Sequence, residues 1–332
     1  MNNNTYITKG SYGAVFKIAN DNKESLNTIA KVFFNKDEWS DEIKKFNKIE
    51  LIDPLSKFIP IKILEQEIIP SDHYSKEVFE KAGEKWKYNE TNWQIIYEDC
   101  GKNLNKIKIT LNDLIVSLEP IFKGIIKLKE YNLVHQDIKP ANLVYNPDKK
   151  IIKLIDFGLL RSNNNIYNIE DNYTCNNYYY FPPEYNIYDM ITENNSIDYR
   201  LLDLNDNNNF LEFKKKYLGY LQQIFSTKIL LDQSSNFNNF INDIINKFPE
   251  YTSPENIKEY FDEFVNKIDV YMLGISILEI LILNPKIKFI NIPLDLKDLI
   301  LKMIHPNPTK RISPEDALVK FLEIKENIKL KL

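Results

Sequence analysis

The chain has 332 residues, 43% hydrophobic and 27% charged, with a formal net charge of −4 and a pI near 5.7. That apolar fraction excludes a disordered chain, and the slight acidity excludes the strong basic field that holds nucleic acid by phosphate neutralisation. Two cysteines, Cys100 and Cys175, and three histidines exclude a disulfide framework and a zinc cluster.

A reducing cytosol suits this cysteine usage. Residues 1–10 carry no apolar signal segment, and the longest apolar run, Ile275 to Leu283, holds Glu279 and is too short to span a bilayer. The expected location is the cytoplasm, or host cytoplasm or virion for a viral chain, with no membrane or nucleic-acid partner. Asn and Ile make up about a quarter of the residues while Ala occurs six times. This reads as an AT-rich genome, of a protist or a large DNA virus, and not as function.

Elements follow in chain order. Strands are expected before Gly10 and after Gly13, joined by a glycine turn, and again over Thr28–Phe34. Residues 41–51 place Ile43, Phe46, Ile49 and Leu51 among charges at a roughly helical period. Two further strands are expected at 61–69 and 93–98, with a solvent-side loop or short helix over 70–92. Residues 111–131 carry Leu114, Leu118, Ile121, Ile125 and Leu128 on one helical face. Leu143–Tyr145 and Ile151–Ile155 are spaced like a hairpin, and 163–177 reads as a polar loop. Residues 185–265 hold 13 acidic and 7 basic residues, so helices joined by loose loops are expected there. Ile275–Leu283 reads as a buried core helix. Ser313-Pro314-Glu315-Asp316 is a helix start, with Ser as N-cap and Pro in the first turn.

The sharpest chemistry lies in His135-Gln136-Asp137-Ile138-Lys139-Pro140-Ala141-Asn142, followed fourteen residues later by Asp156-Phe157-Gly158. A loop can set Asp137 beside an attacking hydroxyl while Lys139 reaches a transferring phosphoryl group. Asn142 offers a metal a neutral oxygen and Asp156 an anionic one, the hard donors magnesium takes beside substrate phosphates. Phosphoryl transfer needs mainly positioning and charge neutralisation, which these groups supply. Singly, each aspartate reads better as a turn or cap residue; the joint spacing is what points to catalysis. His135 reads as packing the loop, not as a base.

Together these residues resemble a eukaryotic-type protein kinase, and Lys139 makes the chain similar to the serine/threonine branch. The resemblance implies an α+β bilobal protein-kinase fold. Its small β-rich lobe would span residues 1–98 and its larger helical lobe residues 99–332. A long helical insertion at about 190–262 would follow Pro182-Pro183-Glu184. It implies that Gly10, Gly13 and Val15 cover ATP, and that Ala30 and Lys31 match the phosphate-holding site, with Glu42 pairing Lys31. Tyr97 would be the gatekeeper, and the backbones of Glu98 and Cys100 would meet adenine. Asn142 and Asp156 would hold Mg²⁺. Asp137 would orient and deprotonate the Ser/Thr hydroxyl of a protein substrate, and Lys139 would stabilise the phosphoryl. Asp269 would brace the catalytic loop, and Arg311 would pair with Glu184.

The chain departs from that family at several points. Thr8 stands where the loop's first glycine is expected, and Gln136 where an arginine usually receives an activation-loop phosphate. Asn177 stands where threonine is usual, and the stretch that usually forms the family's αG helix is short, roughly 285–294. Gln136 implies activity independent of activation-loop phosphorylation, since a neutral amide gains no charge-assisted pair with phosphate. Two rival readings are an inactive scaffold, for which the acidic insertion offers a surface to a basic partner, and a small-molecule kinase of the aminoglycoside or choline type. Lys139-Pro140, Pro182-Pro183-Glu184 and Arg311 are not expected in the second rival.

Overall fold

The computed structural model describes residues 4–9, 13–19, 27–83, 88–166, 180–191, 214–215, 218–219, 221–222, 225–247 and 254–329. Two compact units form: Met1–Gly101 with Lys153–Gly158, and Lys102–Ile152 with Leu159–Leu332. The Asp156-Phe157-Gly158 turn thus belongs to the first unit and the His135–Asn142 run to the second.

In the first unit, β1 (Thr5–Lys9), β2 (Ala14–Ile18), β3 (Thr28–Phe33), β4 (Lys62–Ile68) and β5 (Asn92–Glu98) form an antiparallel sheet in the order β1-β2-β3-β5-β4. Alternation along β2 and β3 sends Phe16, Ala30 and Val32 into a core with Ile68, Tyr74, Phe79 and Ala82. Between β3 and β4 runs α1 (Lys36–Ile52), started by Asn35, whose side chain accepts the Asp37 N–H at 2.7 Å. Its buried face is Glu42, Phe46, Ile49 and Ile52. The expected face includes Leu51, which is 79% exposed. A 3.6-residue period runs from Phe46 to Ile49 and Ile52, leaves Leu51 outside, and brings the charged Glu42 in.

Residues 70–83 correct the solvent-side expectation. They form two short helices, α2 (Pro70–His73) and α3 (Lys76–Glu80). Tyr74 between them and Phe79 within α3 pack on Phe16 at centroid distances of 4.6 and 5.9 Å. Two aromatic residues in a polar stretch suffice to dock it, since burial of each such ring is worth about 1.5–3 kcal/mol.

The second unit opens with β6 (Lys102–Asn103), then α4 (Leu111–Ser117) and α5 (Glu119–Glu130). The apolar period predicts one continuous helix over this span. Pro120 has no N–H to continue α4, so the chain starts again with proline in the first turn of α5. All five expected apolar residues are still buried. β7 (Leu133–Val134) pairs with β10 (Arg161–Ser162), while β8 (Leu143–Asn146) lies between β6 and β9 (Ile151–Leu154). Later helices are α6 (Pro183–Ile191), α7 (Thr227–Lys247), α8 (Pro254–Asp262), α9 (Ile268–Leu283), α10 (Leu294–Met303) and α11 (Pro314–Lys329). The acidic segment of 185–265 therefore contributes most of α6 and the whole of α7 and α8. Much of its remainder lies outside the described residues.

α9 is the unit's central rod, buried on every face from Ile268 to Leu278 and again at Ile280 and Leu281. Its last residue, Leu283, is 65% exposed, so the expected core helix ends in solvent. α11 starts as the sequence reads, with Ser313 Oγ accepting the Asp316 N–H at 3.1 Å. It packs on α5 through Phe122 and Phe321, stacked 4.3 Å apart. The short stretch near 285–294 makes a 3₁₀ turn, Phe289–Asn291. Among the described residues no helix is long and apolar enough to cross a membrane.

Candidate active site

Each unit carries one set of the expected groups. In the first, Lys31 lies on β3 opposite Val15 of β2. Its ammonium donates to Glu42 Oε2 and lies 3.6 Å from Asp156 Oδ1. Glu42 is 6% exposed, so it is not a solvated helix charge. Burial alone would lower the Lys31 ammonium, but the carboxylates of Glu42 and Asp156 outweigh it and raise the group above its ordinary value. Lys31 is thus a fixed, fully charged cation. The Tyr97 hydroxyl donates to the other Glu42 oxygen at 3.3 Å, and burial followed by the Glu42 charge pushes that phenol well up, so it stays a donor.

Gly13 is required by close approach. A Cβ there would sit 2.8 Å from Val32 O and 3.3 Å from Lys31 Cγ. Gly10 lies outside the described residues, as does Asn177. Thr8 pairs with Val15 beside a register irregularity in β1.

Ala30 is a correction. The resemblance sets it on the nucleotide face with Lys31, but neighbouring strand residues point to opposite faces, and Ala30 is fully buried in the Phe16 core. Ile29, two residues before Lys31 and cross-strand from Tyr97, is the neighbour that shares the face of Lys31.

Glu98 holds an unexpected partner. Its carboxylate meets Lys153 Nζ at 2.8 Å, with side chains only 5% and 7% exposed. A lone lysine in the apolar run of β9 is the signal that could have shown it. The pair ties the Glu98–Gly101 segment to the strand leading into Asp156. Burial pushes the Cys100 thiol up to about 12, so it is no nucleophile at neutral pH.

In the second unit, Asp137 is 7% exposed, with Oδ1 2.9 Å from Lys139 Nζ and Oδ2 accepting from Asn142 Nδ2 at 2.7 Å. Asn142 Nδ2 also donates to the Asp137 carbonyl at 2.9 Å, which leaves its Oδ1 as the side chain's acceptor. His135 is fully buried and its Nδ1 accepts the Asp137 N–H at 3.2 Å.

The loop hangs from α9. Asp269 accepts the N–H groups of His135 and Gln136 at 2.8 and 3.0 Å, and Ser276 Oγ donates to the Ile138 carbonyl at 3.0 Å. Gln136 sits at φ 62° and Asp156 at φ 66°, conformations non-glycine residues keep only when their surroundings hold them. Gln136 Nε2 donates to Leu159 O at 3.0 Å and its Oε1 accepts from the Tyr185 hydroxyl at 3.2 Å. Glu184 and Arg311, both fully buried at their side chains, form a two-pronged pair with N–O distances of 2.5 and 2.8 Å.

Burial pushes the Asp269 carboxyl up to about 6, against its two backbone hydrogen bonds. A raised folded value stabilises fully below the unfolded value and loses that contribution as pH rises through about 6. A shift of about two pK units corresponds to about 3 kcal/mol. His305, lowered to about 4 by burial, acts in the opposite direction over an overlapping window, so total stability is a poor readout. The difference between wild type and Asp269→Asn isolates the group. Urea unfolding should show the variant losing ground by about 1–3 kcal/mol between about pH 7 and about pH 4.5. A difference independent of pH would refute the buried carboxyl's titration.

The comparisons agree with this anatomy. A family model described as "Protein kinase domain" matches residues 1–199. Among curated proteins, "Cell division control protein 2 homolog C" of Antirrhinum majus is 22% identical over 157 residues, covering 47% of this chain and 50% of that protein. The chain thus spans about half the length of this relative. The region matched by the family model runs from β1 to α6 and holds Lys31, Glu42, Asp137, Lys139, Asn142 and Asp156. The brackets from α9 and Arg311 lie beyond it. A match over more than half of the chain, on a β-sheet unit followed by a helical one, places it: the chain belongs to the protein kinase domain family.

Proposed function

We propose that this protein is an ATP- and magnesium-dependent protein kinase that transfers the γ-phosphoryl group to Ser or Thr hydroxyls of protein substrates. One observation carries the reading: Lys31 is kept buried, charged and paired with Glu42 beside Asp156. Burying charges costs more than a well-packed apolar replacement, so a scaffold gains nothing by keeping them. A phosphate-binding enzyme does, because a preorganised cation neutralises charge that grows in the transition state.

Each unit offers an oxygen suited to magnesium. In the first, Asp156 is 39% exposed at its side chain and would supply an anionic donor; in the second, Asn142, turned by its bonds to Asp137, would supply a neutral one. Magnesium usually takes one or two carboxylates and keeps waters and substrate phosphates for the rest. When bound, it supplies neutralisation of the phosphates. Lys31 aligns them, Val15 and the Gly13 backbone cover the nucleotide, and Glu98 and Cys100 present backbone to adenine. Asp137 orients the hydroxyl and takes its proton, and Lys139 stabilises the transferring group. Lys139, two residues after Asp137, is what supports Ser/Thr as the acceptor class, through the resemblance to the serine/threonine branch.

The test is radiolabelled phosphate transfer from Mg-ATP to a peptide library, with Lys31→Met alongside. Wild type should label Ser/Thr peptides and Lys31→Met should not. Labelling of neither, with no magnesium-dependent nucleotide binding in wild type, favours the scaffold reading.

Gln136 bears on regulation. Its amide already bridges Leu159 and Tyr185, which flank the activation segment on either side. Those two contacts need no phosphate, so phosphatase treatment should leave activity within about twofold, since a neutral amide forms no charge-assisted phosphate pair. A loss above about tenfold, the scale of one charge-assisted bond, would rule this out.

A further inference from the structure

Three residues of α1 face the Asp156-Phe157-Gly158 turn or its lysine, at the i, i+3 and i+4 spacing that shares one helical face. Glu42 pairs with Lys31, which in turn lies 3.6 Å from Asp156. Phe46 meets Phe157 edge-on, centroids 5.7 Å apart at 79°. Between them in sequence, Lys45 Nζ donates to the carbonyl of Gly158 at 2.6 Å. Asp41, one helical turn earlier, holds the same ammonium at 2.7 Å. The Glu42 contact is the expected pairing; the kinase reading gives Lys45 no role.

The turn needs holding. Asp156 carries φ 66°, a strained conformation for a residue with a β-carbon. Its contact with Lys31, at 3.6 Å, is beyond hydrogen-bond length and sets charge more than orientation. Phe157 packs on Phe46, which resists displacement but leaves rotation of the neighbouring peptides less constrained. A short, charge-assisted bond to the Gly158 carbonyl fixes that rotation directly. The Lys45 side chain is 22% exposed, so water competes weakly for the ammonium.

We propose that Lys45 is a positioning residue: it locks the peptide plane at Gly158 and thereby sets the Asp156 carboxylate for its cation. The proposal rests on the kinase reading of Asp156 but names a residue that reading does not use. It also couples the helix to the turn. Any movement of α1 that withdraws Glu42 from Lys31 withdraws Lys45 from Gly158 at the same time.

The test compares wild type, Lys45→Met and Lys45→Arg in the full chain. Methionine keeps the apolar stem and removes the charge; arginine keeps the donors. Hydrogen exchange in peptides spanning 153–160 is measured without nucleotide, together with ADP affinity with and without magnesium. Lys45→Met should exchange about tenfold faster in that segment alone, the scale of one charge-assisted bond. It should lose about tenfold in ADP affinity with magnesium and stay within about twofold without it, and Lys45→Arg should recover most of both. Unchanged exchange in the segment, or an increase spread evenly over the first unit, overturns the proposal. Wild type that binds ADP equally with and without magnesium overturns the kinase reading instead, and the exchange data still judge the hold of Lys45 on the turn.

Discussion

Arg311→Met is expected to cost about 3–5 kcal/mol of unfolding free energy, a large share of the roughly 5–15 kcal/mol that holds a domain together. The reason is what the substitution leaves behind. Glu184 is fully buried and both its oxygens are bound by the guanidinium. Without it a carboxylate remains in the interior, where it must take up a proton or admit water. Arg311 does more than pair with Glu184. Its Nε donates to the His305 carbonyl at 3.0 Å, and the guanidinium lies 4.8 Å from the Tyr271 ring on α9. One side chain therefore joins α6, α9 and the turn before α11. Arg311→Lys should rescue little, because an ammonium cannot reproduce the planar fork. Replacing both partners, Glu184→Met with Arg311→Met, should recover part of the loss, since no charge is then stranded. Urea unfolding of the four proteins decides it; a single-variant loss below about 1 kcal/mol would show that solvent reaches the pair.

The sequence made the strands and the catalytic run legible because both are local. Alternation marks β2 and β3, and the Asp137–Asn142 spacing needs no tertiary knowledge. What escaped it depends on which face a residue shares. Ala30 adjoins Lys31 in sequence and for that reason points the other way. Leu51 looks like core until the helical phase set by Phe46 and Ile49 turns it outward. Tyr74 and Phe79 sit among charges, so their segment reads as surface until they pack on Phe16. Buried polar contacts escaped for a related reason. Lys153 with Glu98, and Lys45 with the Gly158 carbonyl, span 55 and 113 residues, and no periodicity links them. Asp269 and Arg311 are legible only through the family resemblance, which supplies their partners.

Asp137→Asn is expected to lower phosphoryl transfer by about a hundred- to ten-thousandfold, the range for removing a positioned general base. The substitution is nearly isosteric, and the bonds that hang its loop from α9 do not use the side chain. His135 and Gln136 hang by backbone N–H groups from Asp269, and Ile138 by its carbonyl from Ser276. Asp137 is buried, but the amide keeps one oxygen to accept from Asn142 Nδ2, so stability should stay within about 2 kcal/mol of wild type. Nucleotide affinity should stay within about twofold, because the groups expected to bind nucleotide, Lys31 foremost, retain their contacts. Lys31→Met must behave differently. It removes the cation and strands Glu42, which is 6% exposed and then keeps the Tyr97 hydroxyl, at 3.3 Å, in place of a charge. That variant should lose transfer, nucleotide affinity and stability together. The contrast separates chemistry from binding: one variant binds and does not transfer, the other does neither. Turnover by Asp137→Asn at the wild-type rate would remove Asp137 from the reaction and leave the position of Lys139, 2.9 Å from that carboxylate, unexplained.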